Sequence, residues 1–446
     1  MNRALDRRQF LAAAAATAAL PGLSTSPRRP RPSPNAALRI GAIGVGRMGL
    51  GDLRAVQKLG LDAALHAHVV AVCDLDESRA RAAQQTMLEG YRGKLEGATP
   101  EIRVYRDFRE LLARDDLDAV TIGTPDHWHA LCAIAAARAK KAIYLQKPLT
   151  YSVAEGHALV RAVRENGVVL QVGSQQRSDE RFRRACELVR NGRLGKLARV
   201  RVTLPPDTGQ GDPKPGPVPD GFDHDTWLGP TAAVPYAEAG VHPRSDAAGK
   251  PDYSRPGWLQ IRRYCLGMIT GWGSHMNDIA QWGHGGDVDS GLVEIEAEAE
   301  FPQRGLFDVH TKFAARGRWA DGVELVQATG EPAGVRFEGS EGWIFVQRGK
   351  LEASREELLK EPLPAGSLAL RVSANHYRDW LECARSGADP ICPVEVGHRS
   401  NTVCVITHIA MQLGRKLRWD PQAERFLDDD AANALLDYPH REPWTL

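Results

Sequence analysis

Short apolar runs alternate with amphipathic stretches over the first part of the chain. The runs at 38–43 and 68–73 have the length of buried strands, and the stretch at 48–59 between them has the periodicity of a helix. Further apolar runs follow at 102–105, 117–123, 142–146 and 168–173. Strands that alternate with helices predict a parallel sheet with crossover helices.

The pattern changes in the second half, where residues 293–299 alternate between apolar and charged side chains. A period of two is typical of a strand with one face in water. Strand-like segments follow at 306–313, 323–328, 334–337 and 343–346, and helices are predicted at about 374–385 and 397–413. We therefore predict a second domain of α+β class with a large, mostly antiparallel sheet.

The segment at 205–258 is rich in Pro, Gly and Asp and has little periodicity. Loops of this length in compact proteins are usually functional or disordered. We predict that it is a lid or an oligomer-contact arm. The predicted first domain covers residues 37–175, and the predicted second domain, which includes this long loop, covers 176–446.

A glycine pattern follows the first apolar run directly, as Gly44-Val45-Gly46-Arg47-Met48-Gly49. In a dinucleotide site, Gly44 permits the tight turn, Gly46 lets a pyrophosphate approach the backbone, and Gly49 lets the helix pack closely on the strand. The free N–H groups at the start of the helix, at Arg47 and Met48, favour phosphate. The unit of strand, glycine turn, helix and strand predicts an α/β Rossmann domain that binds NAD or NADP.

The second strand ends at Asp74, the position at which an acid accepts a hydrogen bond from a ribose 2′-hydroxyl. A carboxylate repels a 2′-phosphate, so Asp74 favours NAD over NADP. Arg47 and Arg79 act in the opposite direction, and NADP therefore remains open as the cofactor.

Ligands of such sheets bind outside the carboxyl ends of the strands. That rule selects a set of residues as candidate cofactor-binding groups: Thr124, Pro125, His127, His129, Gln146, Lys147 and Gln175. A zinc site made of His127, His129 and His275 is disfavoured because the spacing is not that of zinc ligands, and we predict no metal.

Charge and cysteine content narrow the class of protein. With 57 Lys and Arg residues against 56 Asp and Glu, the net charge is +1, which gives no support for a nucleic-acid or membrane-surface partner. The 7 cysteines are scattered without a C-x-x-C pair, so neither a disulfide framework nor a zinc knuckle is indicated.

The N-terminus has the pattern of a targeting segment. Arg7-Arg8-Gln9-Phe10-Leu11 is a twin-arginine pattern, and an Ala-rich stretch follows it. That stretch is too short and too weakly apolar for a membrane span. We therefore predict that residues 1–36 are a twin-arginine signal with a Pro-rich linker, and that the protein is exported to the periplasm or beyond.

Four motifs follow one another along the chain. They are the glycine turn, Thr124-Pro125-Asp126-His127-Trp128-His129, Gln146-Lys147-Pro148, and Gly273-Ser274-His275-Met276-Asn277-Asp278. In this combination the chain resembles the Gfo/Idh/MocA oxidoreductases, the family of glucose–fructose oxidoreductase and inositol dehydrogenase. The resemblance extends over about residues 38–419.

The resemblance implies catalytic roles for two residues. Lys147 is expected to act on the substrate hydroxyl, and His275 to bind or deprotonate it. The family motif is usually Glu-Lys-Pro, and here the acid is replaced by Gln146. Many relatives also carry Asp four positions before the histidine, where this chain has Gly271, so we expect Asp278 to be the partner of His275.

We therefore predict an exported, homo-oligomeric oxidoreductase with a tightly bound NAD, or NADP, that transfers a hydride from a sugar, polyol or glycoside. The tryptophans Trp227, Trp258, Trp272 and Trp282 are either sugar-stacking groups or ordinary core residues. Two other functions remain open. One is an NAD-dependent glycosidase that works by transient oxidation and elimination, and the other is a non-catalytic dinucleotide- or sugar-binding protein.

Overall fold

A computed structural model describes residues 36–95, 99–242, 244–245, 251–252, 257–288 and 290–446. The predicted signal and linker at 1–36 lie outside the described residues, apart from residue 36. Within the described ranges, no helix combines the length and the apolar character that a membrane crossing requires.

The first domain contains a six-stranded sheet in which every pair of neighbouring strands is parallel. The spatial order is β3-β2-β1-β4-β5-β6, which is the order of a Rossmann fold. The strands are β1 (Leu38–Ile43), β2 (Ala67–Cys73), β3 (Arg103–Tyr105), β4 (Ala119–Ile122), β5 (Ala142–Leu145) and β6 (Leu170–Val172). The predicted parallel sheet is therefore confirmed.

Helices connect these strands and continue into the second domain. They are α1 (Arg47–Gly60), α2 (Glu77–Tyr91), α3 (Phe108–Leu112), α4 (His129–Arg138), α5 (Val153–Asn166) and α6 (Glu180–Arg190). Side chains of Asp76, Asp107 and Asp179 cap the N-termini of α2, α3 and α6. Ser152 and Glu155 form a reciprocal capping box that starts α5.

The second domain contains a nine-stranded sheet in the order β15-β14-β13-β7-β12-β11-β10-β16-β17. Strands β7 and β12 pair in parallel, and the other pairs are antiparallel. The strands of this domain are β7 (Leu197–Leu204), a separate pair β8 (Arg244–Ser245) and β9 (Pro251–Asp252), β10 (Leu292–Glu300), β11 (Lys312–Trp319), β12 (Glu324–Thr329), β13 (Gly334–Gly339), β14 (Gly342–Gln347), β15 (Lys350–Ala353), β16 (Leu417–Asp420) and β17 (Arg425–Phe426).

One predicted strand, 306–313, is wrong. The strand β11 begins only at Lys312, and the residues before it form a loop. Leu306 and Phe307 donate their backbone N–H groups to carbonyls at Gly211 and Gln210. The apolar side chains that suggested a strand are thus buried by contacts with a distant loop, not by pairing within the sheet.

The remaining helices are α7 (His224–Leu228), α8 (Glu238–Val241), α9 (Met268–Gly271), α10 (Gly273–His284), α11 (Glu357–Lys360), α12 (His376–Ser386), α13 (Val394–Leu413) and α14 (Asp430–Asn433). Helix α13 joins the cores of both domains. Its first residues, Val394 and Val396, pack in the core of the first domain, whereas Ile406 and Ile409 pack in that of the second.

Residues 207–242, which we call the strap, cross the first domain beside the end of β2. The N–H of Glu77 donates to the carbonyl of Gly221 at 3.1 Å, and the N–H of Asp223 donates to that of Leu75 at 3.1 Å. Phe222 forms an isolated β-bridge with Asp76. The strap therefore lies against the turn that carries Asp74.

Helix α12 completes the core of the first domain although it belongs to the second half of the chain. Trp380 and Leu381 are buried in one cluster with Leu38, Ile40 and Tyr144. The first domain thus depends on residues more than 200 positions away from its own sheet.

Trp380→Ala should lower the free energy of unfolding by about 3–5 kcal/mol, because it leaves a large cavity under β1 and β5. Glu382→Ala on the same helix, where the side chain is exposed, should change it by no more than about 0.5 kcal/mol. Urea unfolding of both variants measures the difference. Equal effects would show that α12 does not stabilise the first domain.

Candidate cofactor and substrate site

The turn from β1 into α1 packs so closely on its neighbours that Gly44 and Gly49 have no room for a side chain. Gly44 has φ +76°, and a Cβ placed there would lie 2.7 Å from the Thr124 backbone N. A Cβ on Gly49 would lie 1.9 Å from the carbonyl oxygen of Gly44. A Cβ on Gly46 would meet only Arg79 atoms at 3.8 Å or more, so this glycine leaves open space. That space is what a pyrophosphate group needs.

Asp74 holds the glycine loop in place through its carboxylate. Its Oδ2 accepts from the Val45 N–H at 2.9 Å, and its Oδ1 accepts from the Asp76 N–H at 3.0 Å. Burial raises the pKa of Asp74, and the positive charge of Arg79 opposes that rise. The acid predicted to select NAD therefore lies at the end of β2, bonded to the loop that would hold the phosphates.

A cavity of about 340 Å³ opens at the carboxyl ends of β1, β2, β4 and β5. Many of the predicted cofactor residues line it: Gly44, Gly46, Arg47, Met48, Asp74, Thr124, Pro125, His129, Gln146 and Lys147. Gly49 lies beneath the loop, buried against Gly44. Gln175 instead donates from Nε2 to the Tyr144 hydroxyl at 3.1 Å.

The two histidines after β4 have different places. His127 is fully buried outside the cavity lining, with its Nε2 2.9 Å from the Trp227 carbonyl oxygen on the strap. His129 lines the cavity, and its ring nitrogens face the carbonyl oxygens of Pro148 and Thr124 at 2.6 and 3.1 Å. Burial lowers the pKa of both imidazoles to about 4. His127 thus anchors the strap, and His129 ties the loop after β4 to the loop after β5.

Lys147 lies where the cofactor cavity meets the second domain. Its Nζ donates to the Gly271 carbonyl oxygen at 3.2 Å, and the Lys147–Pro148 peptide bond is cis. Burial lowers the pKa of Lys147, whereas the nearby carboxyl group of Asp126 raises it. A lysine whose ammonium form is destabilised in this way is suited to accept a proton.

The amide at position 146 interacts with a buried acid that sequence analysis did not select. Gln146 Nε2 donates to both carboxylate oxygens of Asp52 on α1, at 3.0 and 2.8 Å. The Tyr377 hydroxyl donates to Asp52 Oδ1 at 2.7 Å. Burial raises the pKa of Asp52 to about 6 in spite of these bonds.

His275 lies at the start of α10, four residues after Gly271, whose carbonyl accepts a bond from the Lys147 Nζ. The pKa of His275 is lowered well below the usual value, first by burial and then by the charges of Lys147 and Arg348. The Arg348 guanidinium is 3.2 Å from His275 Nε2 and stacks over the ring of Trp272. The fold therefore places Lys147 and the helix start that carries His275 in the same region, although the two motifs are far apart in the sequence.

Asp278 was predicted to partner His275, and this prediction is wrong. Its carboxylate accepts two bonds of 2.8 Å from the buried guanidinium of Arg177, and one of 2.8 Å from the Ser400 hydroxyl. Arg177 also bonds to Asp287. The carboxylate of Asp278 is thus used in a buried ion pair that joins α10 to the segment after β6.

Three residues near the site were missed by the sequence analysis. Asp126 directly precedes His127 in the motif after β4, in which the two histidines are the stronger candidates for cofactor contact. Asp52 is a buried polar position on the inner face of α1, which a pattern of apolar residues does not reveal. Arg348 lies in a hairpin turn between β14 and β15, and no local signal links that turn to the site.

The chain matches two family models that together account for most of it. An oxidoreductase-family model with an NAD-binding Rossmann fold matches residues 38–174, and an oxidoreductase-family C-terminal alpha/beta domain model matches residues 207–446. The protein belongs to the Gfo/Idh/MocA oxidoreductase family. The Rossmann domain described above is therefore an NAD-binding domain.

Curated relatives include a myo-inositol 2-dehydrogenase from Thermotoga maritima, 29% identical over 181 residues, and a scyllo-inositol 2-dehydrogenase (NAD(+)) from Bacillus subtilis, 35% identical over 222 residues. These matches cover 41% and 47% of this chain, and the chain spans about half the length of each relative, 47% and 54%. The WlbA dehydrogenase from Bordetella pertussis, solved with NADH and UDP-GlcNAcA, has a similar fold with a TM-score of 0.63. It is 18% identical, and the match covers 87% of this chain and 99% of that one.

Asp74→Ala should weaken NAD binding at least about tenfold, because it removes a charged acceptor for the ribose and the bond to Val45. NADP should lose less affinity, because the repulsion of its 2′-phosphate is removed as well. Fluorescence titration with both nucleotides measures the effect. Asp107→Ala, on the rim of the same cavity, is the control and should leave the ratio of affinities unchanged. A native preference for NADP would contradict the role of Asp74.

Proposed function

We propose that the protein is an NAD-dependent dehydrogenase that oxidises a secondary hydroxyl of a sugar, polyol or glycoside. The observation that supports this best is the contact of Lys147, which lines the NAD-binding cavity, with the carbonyl of Gly271, four residues before His275. Lys147 and His275 come from different domains, and the pKa of each is lowered by burial. A buried amine and a neutral imidazole beside a dinucleotide cavity suit the removal of a hydroxyl proton.

Residues of the cavity fit NAD. The open space at Gly46, the carboxylate of Asp74 and the residues after β4 and β5 would hold it, and the bound nicotinamide would supply the acceptor for a hydride. The chain's own residues would then manage the proton. Lys147 would take it from the substrate hydroxyl, since its neutral form is favoured by burial.

His275 has a role set by its tautomer. Arg348 has only donors, so its bond to His275 Nε2 requires a lone pair on that nitrogen. The neutral ring then carries its proton on Nδ1, which is buried and has no hydrogen-bond partner among the described residues. His275 would therefore act as a neutral group near Lys147, with its Nδ1–H as an uncommitted donor.

The structure separates the four tryptophans that were candidates for sugar stacking. Trp282 is buried in the second core with the Arg177 guanidinium 4.9 Å above its ring, so its faces are taken. Trp258 is partly exposed and lines the cavity. Trp227 lines it too, but is packed in the strap. Trp272 has the Arg348 guanidinium 4.8 Å from its ring centre. Of the four, we propose Trp258 as the one that stacks on a sugar ring.

Lys147→Ala and His275→Ala should each lower turnover by at least roughly a hundredfold, as expected when a positioned acid or base is removed. NAD binding should survive in the His275 variant, because His275 does not line the described cofactor cavity. Lys58→Ala, an exposed lysine on α1, is the control and should keep native turnover. Steady-state kinetics and NAD titration measure these effects. Near-native turnover of either variant would remove that residue from the mechanism.

Export and cofactor retention are further parts of the proposal. The twin-arginine pattern at Arg7 and Arg8 supports export of a protein that is already folded. Free NAD is scarce outside the cytoplasm, so an exported enzyme needs to keep its cofactor. The strap supports retention, because it is bonded to the β2–α2 turn beside Asp74. We also propose that the chain forms a homo-oligomer, which light scattering would test.

The mature protein, purified from the exported fraction without added nucleotide, should release nearly one NAD per chain when denatured. Retention of this kind requires a Kd of roughly nanomolar or below. Phe222→Ala should speed the loss of NAD on dilution, because it removes a side chain from the buried cluster of the strap against which Leu75 of the β2–α2 turn packs. Val218→Ala, at an exposed strap position, is the matched control. Empty protein that depends on added NAD would overturn retention.

A redox-neutral glycosidase cycle is the second candidate, and the strap over the cofactor site favours it because such a cycle never releases NADH. Products distinguish the two functions. A dehydrogenase yields a ketosugar and reduced cofactor, whereas an NAD-dependent glycosidase releases the aglycone and consumes no cofactor. A panel of glycosides and free sugars, analysed by mass spectrometry, provides this comparison.

A further inference from the structure

We propose that Asp126 is the residue that controls the charge of Lys147, in place of the acid that this chain lacks at position 271. The inference rests on the proposed function, in which Lys147 accepts the substrate proton. Asp126 acts through Lys147, so it is a positioning residue. In this chain the carboxylate of Asp126, from the first domain, takes the place of the acid that many relatives have in the second domain.

Residue 271, where many relatives carry an acid and this chain has Gly, contacts Lys147. The Lys147 ammonium donates to the backbone carbonyl of Gly271, at 3.2 Å. A Cβ placed on Gly271 would meet nothing closer than the Met268 Sδ at 3.5 Å, an ordinary contact distance. A carboxylate at 271 would thus have room near the amine, and this chain has only a neutral carbonyl there.

Four buried or half-buried aspartates lie near the two active groups, and three of them have committed oxygens. Asp74 accepts from two backbone N–H groups, Asp52 from Gln146 and Tyr377, and Asp278 from Arg177 and Ser400. Asp126 is only 3% exposed, and its Oδ2 is buried with no hydrogen-bond partner among the described residues. Of these four, Asp126 is the one with an uncommitted oxygen.

The topology explains why Asp126 and Lys147 share the cavity. Asp126 begins the 3₁₀ turn Asp126–Trp128 after β4, and Lys147 follows β5, the neighbouring parallel strand. Both residues therefore emerge at the same edge of the sheet, and both line the cavity. The Asp126 carboxyl group also interacts with the Cys265 thiol. A buried carboxyl group and an amine in the same cavity stabilise each other's charged forms.

Six charged or titratable groups of the described residues interact with Lys147. They are Asp126, His129, Cys265, His275, Arg348 and Asp52. Burial lowers the pKa of Lys147, and the first contribution that opposes this fall comes from Asp126. Burial in turn raises the pKa of Asp126 to about 7, and Lys147 is the first group that opposes this rise. Each residue is therefore the other's main charge partner.

During the proposed reaction, the O–H bond of the substrate breaks and an N–H bond forms on Lys147, while the hydride passes to NAD⁺ and a C=O product results. Lys147 becomes an ammonium in a buried site. The Asp126 carboxylate stabilises that positive charge, which makes Lys147 a stronger base. Without Asp126, the amine should be neutral down to lower pH and a weaker proton acceptor.

The experiment measures the protonation of Lys147 without any substrate. The protein is labelled with a trace of acetic anhydride across a range of pH, and the modified fraction of Lys147 is read by mass spectrometry. In Asp126→Asn, the pH at the midpoint of labelling should fall by at least about one pH unit, the shift expected on losing a nearby opposite charge. The acid limb of the pH–rate profile should move in the same direction.

A second substitution that restores a carboxylate distinguishes a loss of charge from a change in the structure of the site. Adding Gly271→Asp to Asp126→Asn should return both midpoints toward the native values, because a carboxylate again faces the amine. Asp107→Asn, at the rim of the cavity, should change neither. If Asp126→Asn does not fold, Gly271→Asp in the native background should raise the midpoint of Lys147 labelling.

An unchanged labelling midpoint in folded Asp126→Asn would overturn the inference even if the enzyme is active. Failure of the native-background Gly271→Asp variant to raise the midpoint, in the case where Asp126→Asn does not fold, would overturn it as well. A shifted midpoint in a protein that oxidises no sugar or glycoside would support the charge pairing and reject the proposed function. The two hypotheses therefore fail in distinguishable ways.

Discussion

The close approach of three backbone segments around Gly44 and Gly49 is the constraint on which the site depends. A side chain at Gly49 would collide with the Gly44 carbonyl, and one at Gly123 would lie 2.7 Å from the Gly49 Cα. These contacts fix the start of α1 against the ends of β1 and β4. The cavity forms above that contact, because the strands end there while the helix N-terminus is held back. Asp74 then adds a hydrogen bond that keeps the loop in one conformation.

Burial gives the cavity its chemistry. Desolvation disfavours charge on acids and bases alike, so it lowers the pKa values of Lys147 and His275 and raises those of Asp52 and Asp126. Acids and bases that would be fully charged in water thereby have pKa values closer to neutral pH, where proton transfer costs little free energy. This effect needs both domains, because the second domain contributes the surface that covers Lys147.

The sequence predicted what local patterns determine. The strands of the first domain, the capping box at Ser152 and the glycine turn depend on neighbouring residues, and they agree with the structure. The failures involve partners far apart in the chain. Asp278 lies three residues after His275, but Arg177, 101 positions away, binds it instead. The segment at 306–309 resembled a strand because contacts with the strap bury its apolar residues. No local pattern contains that information.

The amide at 146 and the acid at 52 are best understood as one unit. With Glu at 146, as in the motif that this chain resembles, two carboxylates would lie within hydrogen-bond distance in a buried place. Like charges so close cannot both ionise without a large cost, so one would be held as the neutral acid. Gln146 avoids this because its amide donates to Asp52. This chain thus carries the buried carboxylate on α1, at Asp52, where the family motif has one after β5, at position 146. Two acids from other elements of the first domain, Asp126 and Asp52, thus oppose the fall that burial causes in the pKa of Lys147.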